Sequence, residues 1–327
     1  MFPRLVRLYR YKLNKKYEIA RYGKHRIDNS RIPEPLREIV TNNEYVAASP
    51  YPVERLVEEF KTTPFITRET RILTMGSCFA DELNKWLQRN QYQVLKNIWG
   101  AVFTPQSFAQ IIRYSFEPEN WNPVEPFWII DGKYYYPYLK SSFGTGMLLG
   151  DNEAEANQNL RRHFQESAEK LGEAELAVWT LGLVELWRNR QDHATYFQLP
   201  TAEIYDPNIH EFHCLTYEEV MEHMRYSIST YKKHNPGLKI LLSVSPIPLR
   251  VTFREQLGPY IATQYSKSVL HAAALRLTEE YRDVYYMPSY EITRMNPALY
   301  YKQDGRHVNE LCVDTVMDIF QKLYIEA

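Results

Sequence analysis

Two short motifs carry the residues best suited to covalent chemistry, and the first lies at the end of an apolar run. Residues 72–80 read Ile-Leu-Thr-Met-Gly-Ser-Cys-Phe-Ala, so the run stops at Gly76 and Ser77. A buried strand that ends at glycine and passes straight into a helix leaves the next side chain at the carboxyl end of the strand, where open α/β sheets bind ligands. Ser77 is therefore the candidate nucleophile.

The residues after Ser77 predict a helix that would favour this role. Residues 81–87 have the polarity pattern of the first turns of an amphipathic helix. Backbone N–H groups at its start would point at an oxyanion formed beside Ser77. A Gly-Ser pair also closes ordinary strands, so this segment alone fits a simple turn equally well.

The second motif, Asp304-Gly305-Arg306-His307, precedes a helix predicted for Val308–Tyr324. Asp304 and His307 are three residues apart in one tight turn and can lie on the same side. The imidazole could then act on Ser77 as general base while the carboxylate fixes its tautomer. Taken alone, the motif favours a simpler interpretation, in which Asp304 caps the helix and His307 is solvated.

Taken together, the two motifs resemble a known family. Gly76-Ser77-Cys78-Phe79-Ala80 is similar to the signature of the GSCFA family, which belongs to the SGNH, or GDSL-like, hydrolase superfamily. Further blocks follow in the expected order between about residues 70 and 320, at 97–105, 180–187, 243–249 and, for the Asp-x-x-His block, 304–307. The resemblance implies a doubly wound, flavodoxin-like parallel sheet of the SGNH-hydrolase kind.

The resemblance also implies an activity and a set of site residues. Ser77 would attack an ester carbonyl, His307 would take and return the proton, and Asp304 would orient His307. The N–H groups of Ser77 and Gly100 would bind the oxyanion. The remaining candidates for oxyanion or substrate binding are Asn97, Gly182 and Glu185.

One departure from the superfamily pattern lies in the third block. Well-studied members carry an asparagine two residues after the glycine, whereas Gly182 is followed at that position by Val184. Because losing one oxyanion donor costs about two to three orders of magnitude in turnover, either the Gly100 loop supplies a substitute or the chemistry is slower or different. Glu185 could orient Arg188 or a substrate hydroxyl, or be a solvated or salt-bridged glutamate.

Two classes of function follow from these residues. The leading class is a serine-dependent acyl-ester hydrolase that acts on an acylated carbohydrate or another small ester. If a sugar hydroxyl resolves the acyl-enzyme in place of water, the same residues make a glycan O-acyltransferase of cell-surface polysaccharide assembly. The competing class is a glycan-binding or scaffold protein with weakened catalysis, and Val184 is the feature that favours it.

Composition narrows the partners. A net charge of −1 gives no steering toward nucleic acid, and no nucleic-acid partner is expected. The absence of a phosphate loop or dinucleotide fingerprint predicts no cofactor. His210, His213 and Cys214 have poor spacing for zinc, so no metal is expected.

The 26 tyrosines serve as packing residues or, in loops, as sugar-stacking surfaces; the candidates are Trp99, Tyr134, Tyr135, Tyr136, Tyr300 and Tyr301.

The three cysteines, Cys78, Cys214 and Cys312, are widely spaced and odd in number. This pattern implies no disulfide framework and predicts a reducing, cytoplasmic compartment. Cys78 is a rival nucleophile because a thiol at a helix N-terminus can be activated. We expect it instead to pack against the sheet, as residues beside a strand-end nucleophile do.

Periodicity predicts the elements that position the motifs. Short apolar strands alternate with helices, which implies parallel pairing. The strands are predicted at 71–76, 92–95, 176–181, 239–244 and 284–287, and the helices at about 78–90, 105–115, 152–171, 216–234 and 264–282. Asp131-Gly132 between two apolar runs predicts a hairpin. We interpret residues 118–150 as an inserted flap near the site, with 141–146 as its flexible return.

The N-terminus differs from the rest, and we divide the chain into a basic extension, 1–60, and the hydrolase domain, 61–327. Residues 1–26 carry nine Lys and Arg against one acidic residue and lack the apolar core of a signal peptide. Their apolar residues fall on one helical face, which suits a helix on an anionic, inner-membrane surface or one docked on the domain or a partner.

This pattern yields a first prediction. We expect the chain to co-sediment with anionic vesicles, high salt to weaken the binding by screening, and deletion of residues 1–26 to abolish it while leaving the domain folded. Vesicle sedimentation and circular dichroism are the measurements. Unchanged binding after the deletion would refute the anchor, and loss of the fold would favour the docked helix.

Overall fold

In the computed structural model, the strands of a central sheet alternate along the chain with helices, and two further groups of three strands are inserted between them. The structure describes residues 53, 56–57, 60, 62–139 and 146–326, and of Cys78 only the backbone. The strands are β1 (Ile72–Gly76), β2 (Val94–Leu95), β3 (Trp128–Ile130), β4 (Lys133–Tyr136), β5 (Met147–Gly150), β6 (Leu176–Leu181), β7 (Glu185–Asn189), β8 (Thr195–Tyr196), β9 (His210–Cys214), β10 (Lys239–Val244) and β11 (Val284–Met287). The helices are α1 (Cys78–Arg89), α2 (Pro105–Phe116), α3 (Glu153–Glu173), α4 (Tyr217–His234), α5 (Pro259–Glu280), α6 (Ser289–Met295), α7 (Pro297–Tyr300) and α8 (Glu310–Tyr324), with a 3-10 turn at Pro118–Asn120.

The central sheet has five strands in the order β11-β10-β6-β1-β2. Every neighbouring pair is parallel. Counted along the chain within this sheet, the order is 2-1-3-4-5, which is one of the two common doubly wound orders. The order reverses between β1 and β6, so the crevice that such sheets use for ligands lies at the carboxyl ends of these two strands.

Successive residues of a strand point to opposite sides of the sheet, so an apolar strand presents apolar side chains on both faces. Helices pack on each of these faces. Leu73, Met75 and Trp179 join a large buried core. In that core α2 and α4 pack against each other, and α5 packs beside α4. The intervening residues, such as Val178 and Thr180, instead line a small cavity with side chains of α1 and α8. The three inner strands, β1, β6 and β10, are thus buried on both faces.

Side-chain caps mark the starts of several helices. Ser77, Thr104, Asn152 and Asn309 each accept a backbone N–H one to three residues into the helix that follows. Thr216 forms a full capping box at the start of α4. Each cap satisfies an N–H group that the helix itself leaves without a partner.

The structure confirms the predicted hairpin but makes it part of a larger unit. β3 and β4 are antiparallel, and Asp131 and Gly132 between them have φ of +51° and +72°. β5 adds a third strand. Trp128 and Tyr136 are buried in the main core. The segment is therefore a packed layer and not a free flap, because its aromatic residues supply core surface.

Element boundaries differ from the prediction at two helices. α5 begins at Pro259, several residues earlier than expected, because proline is tolerated in the first helical turn. α8 begins at Glu310, two residues later than expected. Val308 instead forms an isolated bridge with Tyr301.

None of the described helices is both long and apolar enough to cross a bilayer. The predictions for residues 1–26 and 141–145 lie outside the described residues.

The close approach of β1 to β6 generates a second prediction. Gly76 has φ of +146°, and a Cβ there would lie 2.5 Å from the carbonyl oxygen of Thr180. Gly76→Ala should lower the free energy of unfolding by about 1–3 kcal/mol, because both backbone strain and overpacking oppose it. Urea denaturation measures the change.

The matched control is Gly172→Ala in the last turn of α3, where an added Cβ meets nothing within 4 Å. It should be neutral or stabilising by up to about 1 kcal/mol, since alanine is the better helix former. Equal stability of the two variants would show that the contact with Thr180 is unimportant.

Candidate active site at the carboxyl edge of the sheet

Ser77 lies where the sequence places it, at the junction of β1 and α1. Its side chain is 4% exposed, and its Oγ accepts the backbone N–H of Phe79 at 3.4 Å. It is thus the N-cap of α1, where the helix dipole favours a negative charge. The capping role of Ser77 is compatible with the nucleophile interpretation.

The second block forms a loop held against the end of β1. Gly76 pairs with Ala101 in a parallel bridge, and the N–H of Val102 donates to the Gly76 carbonyl at 2.9 Å. Asn97 shapes this loop: its Oδ1 accepts the Trp99 N–H at 2.9 Å, and its Nδ2 donates to the Gly100 carbonyl at 3.2 Å. The amide side chain of Asn97 therefore holds the loop in place.

The third block is pinned to the second. The N–H groups of Gly182 and Leu183 both donate to the Phe103 carbonyl, at 2.9 and 3.0 Å. The Gly182 carbonyl accepts the Nζ of Lys267 at 2.7 Å. Because its N–H is already bonded, Gly182 acts in this structure as a fixed point of the loop and not as an open oxyanion donor.

Lys267 is a residue that the sequence analysis missed. It lies in α5 with a fully buried side chain. A signal was present, since Lys267 falls three to four residues from Thr263 and Leu270, on the buried stripe of that helix. A lysine on an apolar stripe needs a partner, and the Gly182 carbonyl is one.

Val184, the residue at which the third block departs from the expected pattern, is a core residue. Its side chain is fully buried in the main core, and its N–H donates to the Ser266 Oγ at 3.4 Å. The residue at this position of the third block therefore fills space in the core and offers no side-chain donor to a substrate.

Glu185 is buried, with 8% of its surface exposed, so the prediction of a solvated glutamate is wrong. Its Oε2 accepts the Thr252 hydroxyl at 2.8 Å, while Oε1 has no hydrogen-bond partner among the described residues. The idea that it orients Arg188 is also wrong. Arg188 pairs with Glu211 at 2.7 Å. Residues three apart on β7 point to opposite faces, which separates the two side chains.

Burial also changes the acidity of this carboxyl. Removal from water raises the pKa of Glu185, while the Thr252 hydrogen bond and the charge of Arg254 oppose the rise. Thr252 lies in the segment after β10, and nothing in the local sequence pattern marks it as a partner of the third block.

Asp304 and His307 form the pair that the motif predicts. The Asp304 Oδ2 lies 2.6 Å from the His307 Nδ1, and its Oδ1 accepts the N–H groups of Arg306 and His307, both at 3.0 Å. These bonds, the ring contact first, hold the pKa of the Asp304 carboxyl well below its usual range. Because a carboxylate only accepts, the Nδ1 of His307 is the donor in this contact, which leaves Nε2 outside it.

The alternative role for Asp304, capping the following helix, is wrong. Asn309 caps α8, and its Oδ1 accepts the Cys312 N–H at 3.0 Å. Asp304 lies five residues earlier, in a turn that Gly305 closes with φ of +64°. The carboxylate is therefore free of the helix and is used to hold the imidazole.

A groove of about 900 Å³ runs between α1 and α8, and one residue of each motif lines it, while Ser77 and Asp304 are not among its lining residues. Phe79, two residues beyond Ser77, lines it together with His307 and with Ile247 from the segment after β10. Side chains of both charges also border it, among them Lys85, Lys302 and Glu310. In the described part of the chain, no hydrogen bond yet joins the Ser77 Oγ to His307.

Other candidates have structural roles. His210 Nδ1 accepts the Asp206 N–H at 2.9 Å, and its Nε2 lies 3.1 Å from Glu125. His213 pairs separately with Glu219 at 2.8 Å. Within the described residues, no group of three or more His, Cys, Asp or Glu side chains is arranged to hold a metal ion. Cys214 and Cys312 are free thiols, and the side chain of Cys78 lies outside the described residues.

Most of the candidate stacking aromatics belong to the core. Trp99 is buried, with its Nε1 donating to Ser167 at 2.8 Å. Tyr136 and Tyr300 are buried as well. Tyr301 remains half-buried and lines a cavity beside the Asp304 turn.

Comparison with known families matches residues 71–320 to the model of the GSCFA family. The chain belongs to the GSCFA family. The match begins at β1 and ends within α8, so the GSCFA region contains all five strands of the central sheet and both motifs. No curated protein matches the chain.

The Asp304–His307 pair of this GSCFA protein generates a third prediction. In His307→Ala the pKa of Asp304 should rise toward its reference value of about 3.9, because the largest cause of its depression is removed. In the unchanged protein, the depressed pKa stabilises the fold above the unfolded-state pKa, and this contribution is lost as pH falls through the folded-state pKa. Carboxyl NMR titration of the two folded proteins measures the pKa of Asp304 in each.

The control is His271→Ala, which removes a second His–carboxylate pair, His271 to Glu291 at 2.6 Å. It should leave the Asp304 pKa unchanged. An equal Asp304 pKa in His307→Ala and the unchanged protein would contradict the pairing.

Proposed function

We propose that this protein is a serine-dependent acyl-ester hydrolase of the SGNH, or GDSL-like, kind, acting on an acylated carbohydrate or another small ester. The observation that carries the proposal is the Asp304–His307 pair at 2.6 Å, whose imidazole lines the same groove as Phe79, in the first turn of the helix capped by Ser77. The sheet order 2-1-3-4-5 and the succession of the sequence blocks support the superfamily.

In the proposed reaction the Ser77 Oγ attacks the ester carbonyl and forms a bond to its carbon. The His307 Nε2 takes the serine proton and returns it to the leaving alcohol, which gives an acyl-enzyme. Water, activated by the same imidazole, then releases the acid and restores Ser77. Asp304 stabilises the imidazolium in both halves of the reaction.

Substrate must draw the two motifs together. The Ser77 Oγ now accepts the Phe79 N–H, and side chains of the Asp304–His307 pair are about half exposed, at 48% and 55%. Catalytic hydrogen bonds of ligand-free sites are often long and tighten in the substrate complex. An ester in the groove would exclude water from the pair and strengthen its interaction with Ser77.

The oxyanion donors are the weaker half of this site. Val184 offers no side-chain donor, and the Gly182 N–H is bonded to Phe103. The Gly100 loop and the N–H groups at the start of α1 are the proposed donors. A site with one donor fewer should turn over slowly.

The same observation supports a second candidate, a glycan-binding protein with weakened catalysis, because Val184 is a core residue. A glycan O-acyltransferase is a variant of the leading proposal. It would use Ser77, His307 and Asp304 identically, with a sugar hydroxyl in place of water.

Serine-directed labelling tests the proposal. A fluorophosphonate probe should modify Ser77, and mass spectrometry of the labelled peptide should place it there. Ser77→Ala should abolish labelling, and His307→Ala should slow it by about three orders of magnitude or more because the general base is lost. Asp304→Asn should slow it by a smaller factor.

Two controls make the result specific. Ser229→Ala, at an exposed serine of α4, should label at the normal rate. Cys78→Ala should retain most of the labelling, and loss confined to this variant would make the thiol the reacting group. Full labelling of His307→Ala would exclude the proposed triad.

A further inference from the structure

A second cavity, of about 340 Å³, borders the turn that carries the Asp–His pair. One wall is the segment after β10 with the start of α5, and the other is formed by α6, α7 and Gly305, which lies between Asp304 and His307. The Tyr301 hydroxyl donates to the Pro246 carbonyl at 2.8 Å and ties the two walls together. The volume lies within the range of small-molecule sites, about 300–1,000 Å³.

The cavity walls are aromatic and proline-rich, with three tyrosines, Tyr260, Tyr290 and Tyr301, among the lining residues. Tyr260 is 67% exposed. Within the described residues, neither Tyr260 nor Tyr301 is in ring contact with another aromatic side chain. Flat rings with a polar hydroxyl at the edge suit the C–H faces and hydroxyl groups of a sugar ring.

Among the described residues that line this cavity, the charged side chain is that of Arg294. Arg294 lines it from the last turn of α6 and is exposed. In the described part of the chain, no carboxylate lies within ion-pair distance of its guanidinium, and none of the lining residues is acidic. The nearby Glu291 is occupied by the Tyr286 hydroxyl at 2.9 Å and by His271 at 2.6 Å. Other arginines, such as Arg188 and Arg225, are paired with glutamates.

A guanidinium without a carboxylate partner, set among aromatic rings, recognises a planar or tetrahedral anion by paired hydrogen bonds. We propose that this cavity binds an anionic sugar, a pyranose that bears a carboxylate or a phosphate held by Arg294. One consequence rests on the proposed function: an acyl group on the bound sugar would reach the groove that His307 lines. The binding itself requires no catalysis.

Binding to the catalytically silenced full chain, Ser77→Ala, tests this by calorimetry with three probes that lack an acyl group: methyl glucoside, methyl glucuronide and methyl glucoside 6-phosphate. We expect at least one charged sugar to bind about tenfold to a hundredfold more tightly than the neutral one, since a hydrogen bond to a charged group contributes this much. Whichever of the two charged sugars binds more tightly shows whether the cavity prefers a carboxylate or a phosphate.

Adding Arg294→Ala should remove the preference, and Arg294→Lys should retain part of it because the charge remains. The matched control is Arg282→Ala, an exposed arginine in the turn before β11, at the opposite end of that strand from α6. It should keep the full preference.

Several results would overturn the proposal: equal binding of charged and neutral sugars, binding of none of them, an unchanged preference in Arg294→Ala, or competition by inorganic phosphate as strong as by the sugar phosphate. The outcome is independent of labelling at Ser77. Failure of the proposed hydrolase would leave the sugar preference intact, and failure of the sugar preference would leave the labelling intact.

Discussion

The close contact between Gly76 and Thr180 is the constraint on which the carboxyl edge of the sheet depends. A Cβ at Gly76 would lie 2.5 Å from the Thr180 carbonyl oxygen, so only glycine lets β1 and β6 remain paired up to their last residues. That pairing sets Ser77 at the switch point of the sheet, where the strand order reverses and ligands bind.

The loops above this contact are tied to it and to each other. The Gly76 carbonyl accepts the Val102 N–H, and the Phe103 carbonyl accepts the N–H groups of Gly182 and Leu183. Lys267 reaches the Gly182 carbonyl from α5. A buried ammonium without partners would cost several kcal/mol, so this bond and the packing around it hold the third block firmly. The backbone of the third block is thus fixed in place, and the buried Val184 side chain adds no hydrogen-bond donor to it.

The Asp304–His307 pair follows a different design, because it is exposed and local. Its geometry comes from one turn, in which backbone N–H groups and the imidazole converge on a single carboxylate. Exposed charge pairs are screened by water and contribute little to stability. The pair therefore matters for the orientation of the His307 ring more than for the fold. α1 on one side, and this solvent-exposed turn with α8 on the other, border the groove.

Local patterns in the sequence determined the elements and the two motifs. Apolar runs placed the five strands of the central sheet to within about two residues, and Asp131-Gly132 identified the hairpin, because these signals depend on neighbours along the chain. Ser77, Asp304 and His307 were likewise found from residue type and spacing. The Asp304–His307 pair was also predicted, because it lies within one turn. The tertiary structure alone decided the other contacts. It showed that Asn309 and not Asp304 caps α8, that Glu185 bonds Thr252 and not Arg188, and that Lys267 and Arg294 lie at the edge of the sheet. The contacts of Glu185 and Lys267 join segments that are distant in sequence. The Asn309 cap depends on where the turn before α8 ends. Local propensity does not encode such choices, since they follow from which surfaces the packed sheet and helices bring together.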